Sequence, residues 1–296
     1  MPELAEVETV ARGLRRLVGR RVTGVRFGKT DFIRHPEHIK TLLPGSRIGE
    51  IRRQGKLLLV ALDRKVSEPE RLWLLIHLGM TGQLVVHHPV DPVRPHTHVR
   101  VSLDDGSELR YVDIRRFGHI RIASPEEMEA VIAPLGADPL EVTGEEFRAR
   151  LGSRRARVKA LLLDQRVLRG MGNIYTDESL WRACLHPARL GSELTTEELD
   201  RLWRATGVVL RDAIRRRGTS IANYVDARGR RGTNQKWLCV YRRLGLPCSR
   251  CGRKIERAIV AGRSSYFCPR CQPASATGRS GRPGAGAGNP RGTGRR

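Results

Sequence analysis

The sequence predicts an α+β protein of several domains: a β-sandwich or flattened barrel with a leading helix, then a helical segment, then a small zinc-clamped finger. Three observations carry that expectation. Between Arg21 and about Ala123 the chain is rich in strand-forming residues punctuated by turn signals. From Ser124 the apolar period becomes helical. Near the C-terminal end, Cys248-Ser-Arg-Cys251 and Cys268-Pro-Arg-Cys271 form two C-x-x-C pairs with sixteen residues between them.

The leading helix is announced by Pro2-Glu3-Leu4-Ala5-Glu6-Val7-Glu8. Proline suits a first helical position, and acids in the first turn answer the helix dipole. Leu4, Val7, Ala11, Leu14 and Val18 make one apolar stripe that ends near Gly19. Strand character follows at 22–27, 48–62, 72–86, 99–112 and 120–123, with Asp104-Asp105-Gly106 as the clearest turn. Ser124-Pro125-Glu126-Glu127 then starts a helix, and Thr143-x-x-Glu146 and Thr195-x-x-Glu198 read as capping boxes. Helices are expected over 125–132, 144–151, 155–165, 175–183 and 196–216. Between the third and fourth, Arg169-Gly170-Met171-Gly172-Asn173 is a glycine-bearing turn whose amides suit a phosphate. The stretch 218–235 is polar and long for a loop, which points to function.

The cysteine pairs have the ligand spacing of a four-cysteine zinc site, two disulfides being the alternative. Between them the chain reads as a hairpin turning at Ala261-Gly262-Arg263. Four thiolates fill the coordination of one structural zinc ion and leave no open position for a catalytic water. The finger's basic residues Arg250, Arg253, Lys254, Arg257, Arg263 and Arg270 point to a polyanionic partner. Cys184 and Cys239 read as buried free thiols.

The 296 residues suffice for two domains and the finger, and their formal net charge is +24, from 55 basic and 31 acidic side chains. Such an excess is the electrostatic footprint of a nucleic-acid binder. No run of 18 apolar residues occurs, and the start lacks the pattern of a signal peptide. A cytoplasmic, reducing compartment is expected. Residues 274–296 are rich in Gly, Pro and Arg without acids, and read as a disordered basic tail.

Taken in order, Pro2 to Glu8, Gly55-Lys56, His77-Leu78-Gly79-Met80-Thr81-Gly82, Asp113-Ile114-Arg115-Arg116-Phe117-Gly118, Gly172-Asn173-Ile174-Tyr175 and the finger resemble the formamidopyrimidine-DNA glycosylases, bacterial base-excision repair enzymes. The resemblance runs from Met1 to about Gln272. It departs from the family's usual pattern at Ala5 and Ile114, where proline is common, and in the tail. It implies a catalytic β-sandwich domain over 1–123, a helix–two-turns–helix DNA-binding domain with a lesion loop over 124–235, and the finger over 236–273. A monomer acting on damaged double-stranded DNA is implied as well.

From position alone Pro2 is a helix-starting residue. The resemblance implies that, with Met1 removed, its secondary amine attacks the sugar's anomeric carbon. Glu3 is then the proton donor, Lys56 positions the lesion nucleotide and Arg263 binds the flanking phosphates and assists elimination. Met80, Arg115 and Phe117 match residues that fill the gap left by an extruded base. His96, Arg155 and Asn173 match contacts to the DNA backbone. The activity implied is removal of oxidised purines followed by strand cleavage at the abasic site. Two rivals are a sister endonuclease VIII-like group acting on oxidised pyrimidines, and a noncatalytic zinc-finger DNA-binding protein. The Glu3-Leu4 start argues against the former, and an intact Pro2, Glu3 and Lys56 against the latter.

Overall fold

The computed structural model describes residues 2–31, 33–64 and 70–274. Met1 and the tail beyond residue 274 lie outside the described residues, and with them the expected loss of Met1 and the expected disorder of the tail. Helix α1 (Leu4–Leu14) continues into a 3-10 turn, Arg15–Leu17, and so ends short of Gly19. Eight strands follow: β1 (Val22–Phe27), β2 (Arg47–Gln54), β3 (Leu57–Arg64), β4 (Glu70–His77), β5 (Gln83–His87), β6 (Thr97–Leu103), β7 (Glu108–Val112) and β8 (His119–Ala123). They form two four-stranded antiparallel sheets, in the orders β1-β6-β7-β5 and β2-β3-β4-β8. Two of the three long strand regions of the sequence are therefore hairpins, broken at Gly55-Lys56 and at 104–107, while the third is broken at 78–82, where the chain crosses from one sheet to the other. Inward residues such as Leu58, Val60, Leu74, Ile76, Val99 and Val101 fill the space between the sheets. Each such side chain stabilises by about 1.5–3 kcal/mol through its burial.

A short helix, α2 (Pro36–Leu42), interrupts the strands and was not expected from the sequence. It buries only Ile39, too little to leave a periodic trace.

The helical domain holds α3 (Pro125–Ile132), α4 (Gly144–Gly152), α5 (Val158–Leu163), α6 (Asn173–Arg182) and α7 (Thr196–Arg215). The expected capping boxes form at Thr143 and Thr195, and the helix start at Ser124 closes a third, each hydroxyl accepting the N–H three residues on. The helix expected over 155–165 is only α5, because Arg157 is extended and bridges Leu190 instead. That expected at 175–183 starts two residues earlier, at Asn173.

Helix α1 belongs to both cores. Leu4 and Ala5 pack into the helical domain, while Val7, Val10, Ala11 and Leu14 pack into the sandwich. Its N-terminal end therefore sits at the junction of the two. The loop after α7 returns to the sandwich core through Tyr224 and Ala227. The finger is a hairpin, β9 (Glu256–Val260) and β10 (Arg263–Phe267). Ala261 (φ 53°) and Gly262 (φ 68°) make the tight turn that two left-handed residues allow.

Candidate active site and zinc centre

A cleft of about 820 Å³ opens where the sandwich, the helical domain and the finger meet. Pro2, Glu3, Lys56 and Arg263 all line it, and so do Met80, Arg115 and Asn173. Four candidate catalytic residues from positions 2 to 263 thus converge on one space. Phe117 stands beside them, with the Arg115 guanidinium 4.4 Å from its ring centre. His96 and Arg155 lie outside the cleft lining; His96 borders a separate depression of about 380 Å³ with Lys29 and Arg116. The loop after α7 supplies Thr219, Ile221, Ala222, Asn223 and Tyr224 to the cleft, and the linker to the finger supplies Tyr241 and Arg242. The sequence marked that loop only by its length.

Local structure explains how each group is presented. Lys56 sits in the two-residue turn between β2 and β3, where Gly55 adopts φ 60°. Arg53, buried below, is paired with Glu8 at 3.0 Å and Asp138 at 2.7 Å, tying this hairpin to both α1 and the helical domain. Burial pulls the Lys56 ammonium below the usual lysine range, with Glu3 opposing the shift and Arg263 adding to it. Leu4 N–H donates to the Gly170 carbonyl at 3.0 Å, which holds the chain's first residues against the glycine-bearing turn.

The amides just after that turn, at the start of α6, are taken by a side-chain carboxylate. The Glu3 carboxylate accepts the N–H groups of Ile174 (3.0 Å) and Tyr175 (3.3 Å), and Gly170 N–H goes to the Gln165 side chain at 2.8 Å. Glu3 therefore occupies the anion position at the N-terminus of α6. Gly172 makes this possible: a Cβ there would lie 2.2 Å from the Glu3 carboxyl carbon. Burial raises the Glu3 carboxyl above its ordinary range, although Lys56 and the two amides pull it down.

Glu6, one turn further, is also buried. Its Oε2 accepts Glu3 N–H at 2.8 Å, and its Oε1 accepts Thr219 N–H at 2.7 Å and the Tyr175 hydroxyl. One carboxyl thus joins α1, α6 and the start of the loop after α7. Burial, with Glu3 adding, pushes it from 4.5 up to about 7. The folded protein then binds more protons than the unfolded chain between these values. Stability conferred by this group is full below pH 4.5 and is lost as pH rises through 7. Wild-type protein should lose up to about 3 kcal/mol from this source between pH 4.5 and 8, whereas Glu6→Gln should lack that slope. Urea midpoints at pH 5 and pH 8 measure it, and parallel slopes in the two proteins would assign the dependence elsewhere.

The finger docks on α6 through two more buried acids that the sequence did not single out. Asp177 pairs with Lys159 at 2.7 Å and accepts Tyr266 N–H at 2.9 Å, while Lys159 also donates to the Ser264 carbonyl at 2.9 Å. Asn173 donates to the same carbonyl at 2.9 Å. Glu178 accepts the N–H groups of Cys239, Val240 and Tyr241, each at 2.9 Å. Arg250, expected to face a polyanion, instead donates to the carbonyls of Trp181 and Arg182 and stacks 3.9 Å from the Trp181 ring centre. Cys184 is exposed rather than buried, because it follows α6 in left-handed backbone (φ 57°) with its sulfur 3.0 Å from Arg250. Cys239 is half-buried and also unpaired.

Cys248, Cys251, Cys268 and Cys271 bring their sulfurs within 4.8 Å of one another. The Cys248–Cys271 and Cys251–Cys268 distances are 3.9 and 3.5 Å. A tetrahedron with ~2.3 Å zinc–sulfur bonds has edges of about 3.8 Å, whereas a disulfide requires about 2.05 Å. Gly252 N–H to the Cys248 carbonyl and Cys271 N–H to the Cys268 sulfur close the two knuckles. The donor set fits one structural zinc ion held by four thiolates.

A β-sandwich, a helix–two-turns–helix domain and a four-cysteine finger around a common cleft define a class of DNA glycosylases. Residues 1–120 match the formamidopyrimidine-DNA glycosylase N-terminal domain, residues 135–225 its H2TH domain, and residues 245–274 the zinc finger found in FPG and IleRS. The chain belongs to the formamidopyrimidine-DNA glycosylase family. It is 43% identical over 279 residues to the formamidopyrimidine-DNA glycosylase of Pelotomaculum thermopropionicum, covering 92% of this chain and 99% of that one. Among solved structures it is similar to Lactococcus lactis Fpg in complex with abasic-site DNA, with TM-score 0.83, 32% identity and coverage of 92% of this chain and 99% of that one. It is likewise similar to a MutM protein in complex with carbocyclic 8-oxo-G DNA, with TM-score 0.82, 32% identity and coverage of 92% and 100%. Among the described residues no helix is long and apolar enough to cross a membrane.

Proposed function

We propose that this protein is a bifunctional DNA glycosylase and abasic-site lyase that removes 8-oxoguanine and formamidopyrimidines from duplex DNA. The observation that supports it most is the convergence of Pro2, Glu3, Lys56 and Arg263 on one cleft. In this reading residues 1–123 form the catalytic unit, 124–235 grip the DNA and carry the lesion loop, and 236–273 form the finger. The enzyme acts as a monomer in the cytoplasm.

Once Met1 is removed, Pro2 carries a secondary amine whose ordinary pKa near 8 leaves free base at neutral pH. Its lone pair forms a bond to the sugar's anomeric carbon as the bond to the damaged base breaks; the departing base takes up the proton that the amine nitrogen sheds, and Glu3 protonates the ring oxygen as the ring opens. The product is an iminium with no nitrogen-bound proton to lose, so it stays an electron sink. Loss of a proton from the neighbouring carbon expels the 3′ phosphate, and a second elimination expels the 5′ phosphate. Water then releases Pro2. Lys56 and Arg263 hold the anionic groups on either side of the lesion, and Met80, Arg115 and Phe117 fill the vacated stack. Asn173, His96 and Arg155 contact backbone phosphates, so affinity falls steeply with salt. The zinc ion, when bound, holds the finger in shape and takes no part in the chemistry.

Incubation with an 8-oxoguanine:cytosine duplex and borohydride, followed by peptide sequencing, tests this reading. The expected adduct is on Pro2, with faster incision than of a thymine glycol duplex. An adduct on Lys56, or nicking with the initiator methionine retained, would remove Pro2 as nucleophile.

A further inference from the structure

Two loops present the residues read above as gap fillers. The loop 78–82, after β4, carries Met80, and the loop 113–118, between β7 and β8, carries Arg115 and Phe117. Met80 is 41% exposed and Phe117 53%, and the Phe117 ring meets the Arg115 guanidinium of its own loop. Ordering such groups only when DNA arrives costs binding free energy. What lies beneath them is rigid. Asp113 is fully buried, and one of its oxygens accepts the Thr81 hydroxyl at 2.5 Å and Arg115 N–H at 3.3 Å. The other accepts Gly118 N–H at 2.9 Å and the Tyr111 hydroxyl at 3.2 Å. Thr81 Oγ1 in turn accepts Arg115 N–H at 3.1 Å, which closes a ring across both loops. The backbone of Asp113 is fixed as well, its N–H donating to the His96 carbonyl and its carbonyl meeting His98 Nε2, each at 3.0 Å.

The loops also touch backbone to backbone. A Cβ on Gly79 would lie 2.4 Å from Gly118 N and from the Phe117 carbonyl carbon, and one on Gly118 would lie 1.8 Å from the Tyr111 hydroxyl. Every one of the four donors to the carboxylate is a neutral group, and an anion is costly to bury on such terms. An apolar side chain of similar size would leave the loops without that shared acceptor.

We propose that Asp113 is a positioning residue that locks the two loops into one wedge, so that Met80, Arg115 and Phe117 enter the duplex as a unit. The inference rests on the gap-filling reading of those three residues. Asp113 touches no reacting atom; it acts through the loops. It therefore matters where a stacked base must be extruded and the gap filled. It matters little where the base is already missing.

Asp113→Asn keeps the size but places an NH2 group against N–H or O–H donors. Single-turnover release of 8-oxoguanine from a fully paired duplex should fall roughly 30- to 100-fold, the scale of a misplaced positioning group. Borohydride trapping at a preformed abasic site should fall less than about threefold, since no base remains to be extruded. Thr81→Val, which removes one tie, should give a smaller split in the same direction, and it carries the test if Asp113→Asn does not fold. Equal losses on both substrates would make Asp113 merely structural and overturn the proposal. Normal release by Asp113→Asn while Met80→Ala and Phe117→Ala are impaired would overturn it as well, leaving the proposed function intact. Normal release by Met80→Ala and Phe117→Ala would instead sink the gap-filling reading, and this inference with it.

Discussion

Glu3→Gln is expected to slow release of 8-oxoguanine by roughly 10²- to 10⁴-fold, the span a positioned proton donor supplies. The carboxyl is buried and thereby raised above its ordinary range, with Lys56 and two amides opposing the shift. A glutamine has no such proton to give. It also presents only one good acceptor to the N–H groups of Ile174 and Tyr175, so part of the α6 cap is lost, at about 0.5–2 kcal/mol. The two contributions separate by substrate. Trapping of Pro2 at a preformed abasic site needs no base release, and should fall far less than excision. Unchanged excision would strip Glu3 of the donor role. An equal fall on both substrates would reduce it to a helix cap.

Cys268→Ser should have the second largest effect. Cys268 is fully buried, and the small core around it contains little besides Trp181, Val240, Ile255 and the other ligands. So small a hairpin depends on its metal, which is worth about 10–16 kcal/mol in isolated fingers. Loss of the hairpin removes Arg263 from the cleft. It also takes the Ser264 carbonyl from Lys159 and Asn173, and Tyr266 N–H from Asp177. Duplex affinity at fixed salt should fall at least about 100-fold, because several charge-assisted contacts go together. Zinc content by colorimetric chelation and affinity by fluorescence anisotropy read the two effects side by side. Full affinity in a zinc-free variant would show that the finger stands without metal.

Much of this was legible because the signals were local. Cysteine spacing needs only a knuckle turn, and the capping boxes at Ser124, Thr143 and Thr195 are closed by residues three apart. The site residues came from the order of motifs along the chain, and the fold brings seven of the ten to the cleft lining, with Phe117 alongside. What could not be read was the partnership of buried charges. Lys159 lies within an apolar helix, and Asp177 and Glu178 fall where α6 is buried. Their partners come from one another and from 60 to 105 residues further on. Nor could the sequence show that Glu3, rather than a phosphate, takes the amides of α6 across 171 positions.

The sharing of α1 between two cores also has a bearing on biosynthesis. The groups that seat Glu3, the N–H groups of Ile174 and Tyr175, lie 171 and 172 positions further along the chain and so emerge from the ribosome long after it. At 5–20 residues per second that delay is on the order of ten seconds or more. During it the Glu3 carboxylate lacks the α6 amides that hold it, and the cleft around Pro2 is incomplete. The cleft therefore closes around the Pro2 end only after the helical domain has been made.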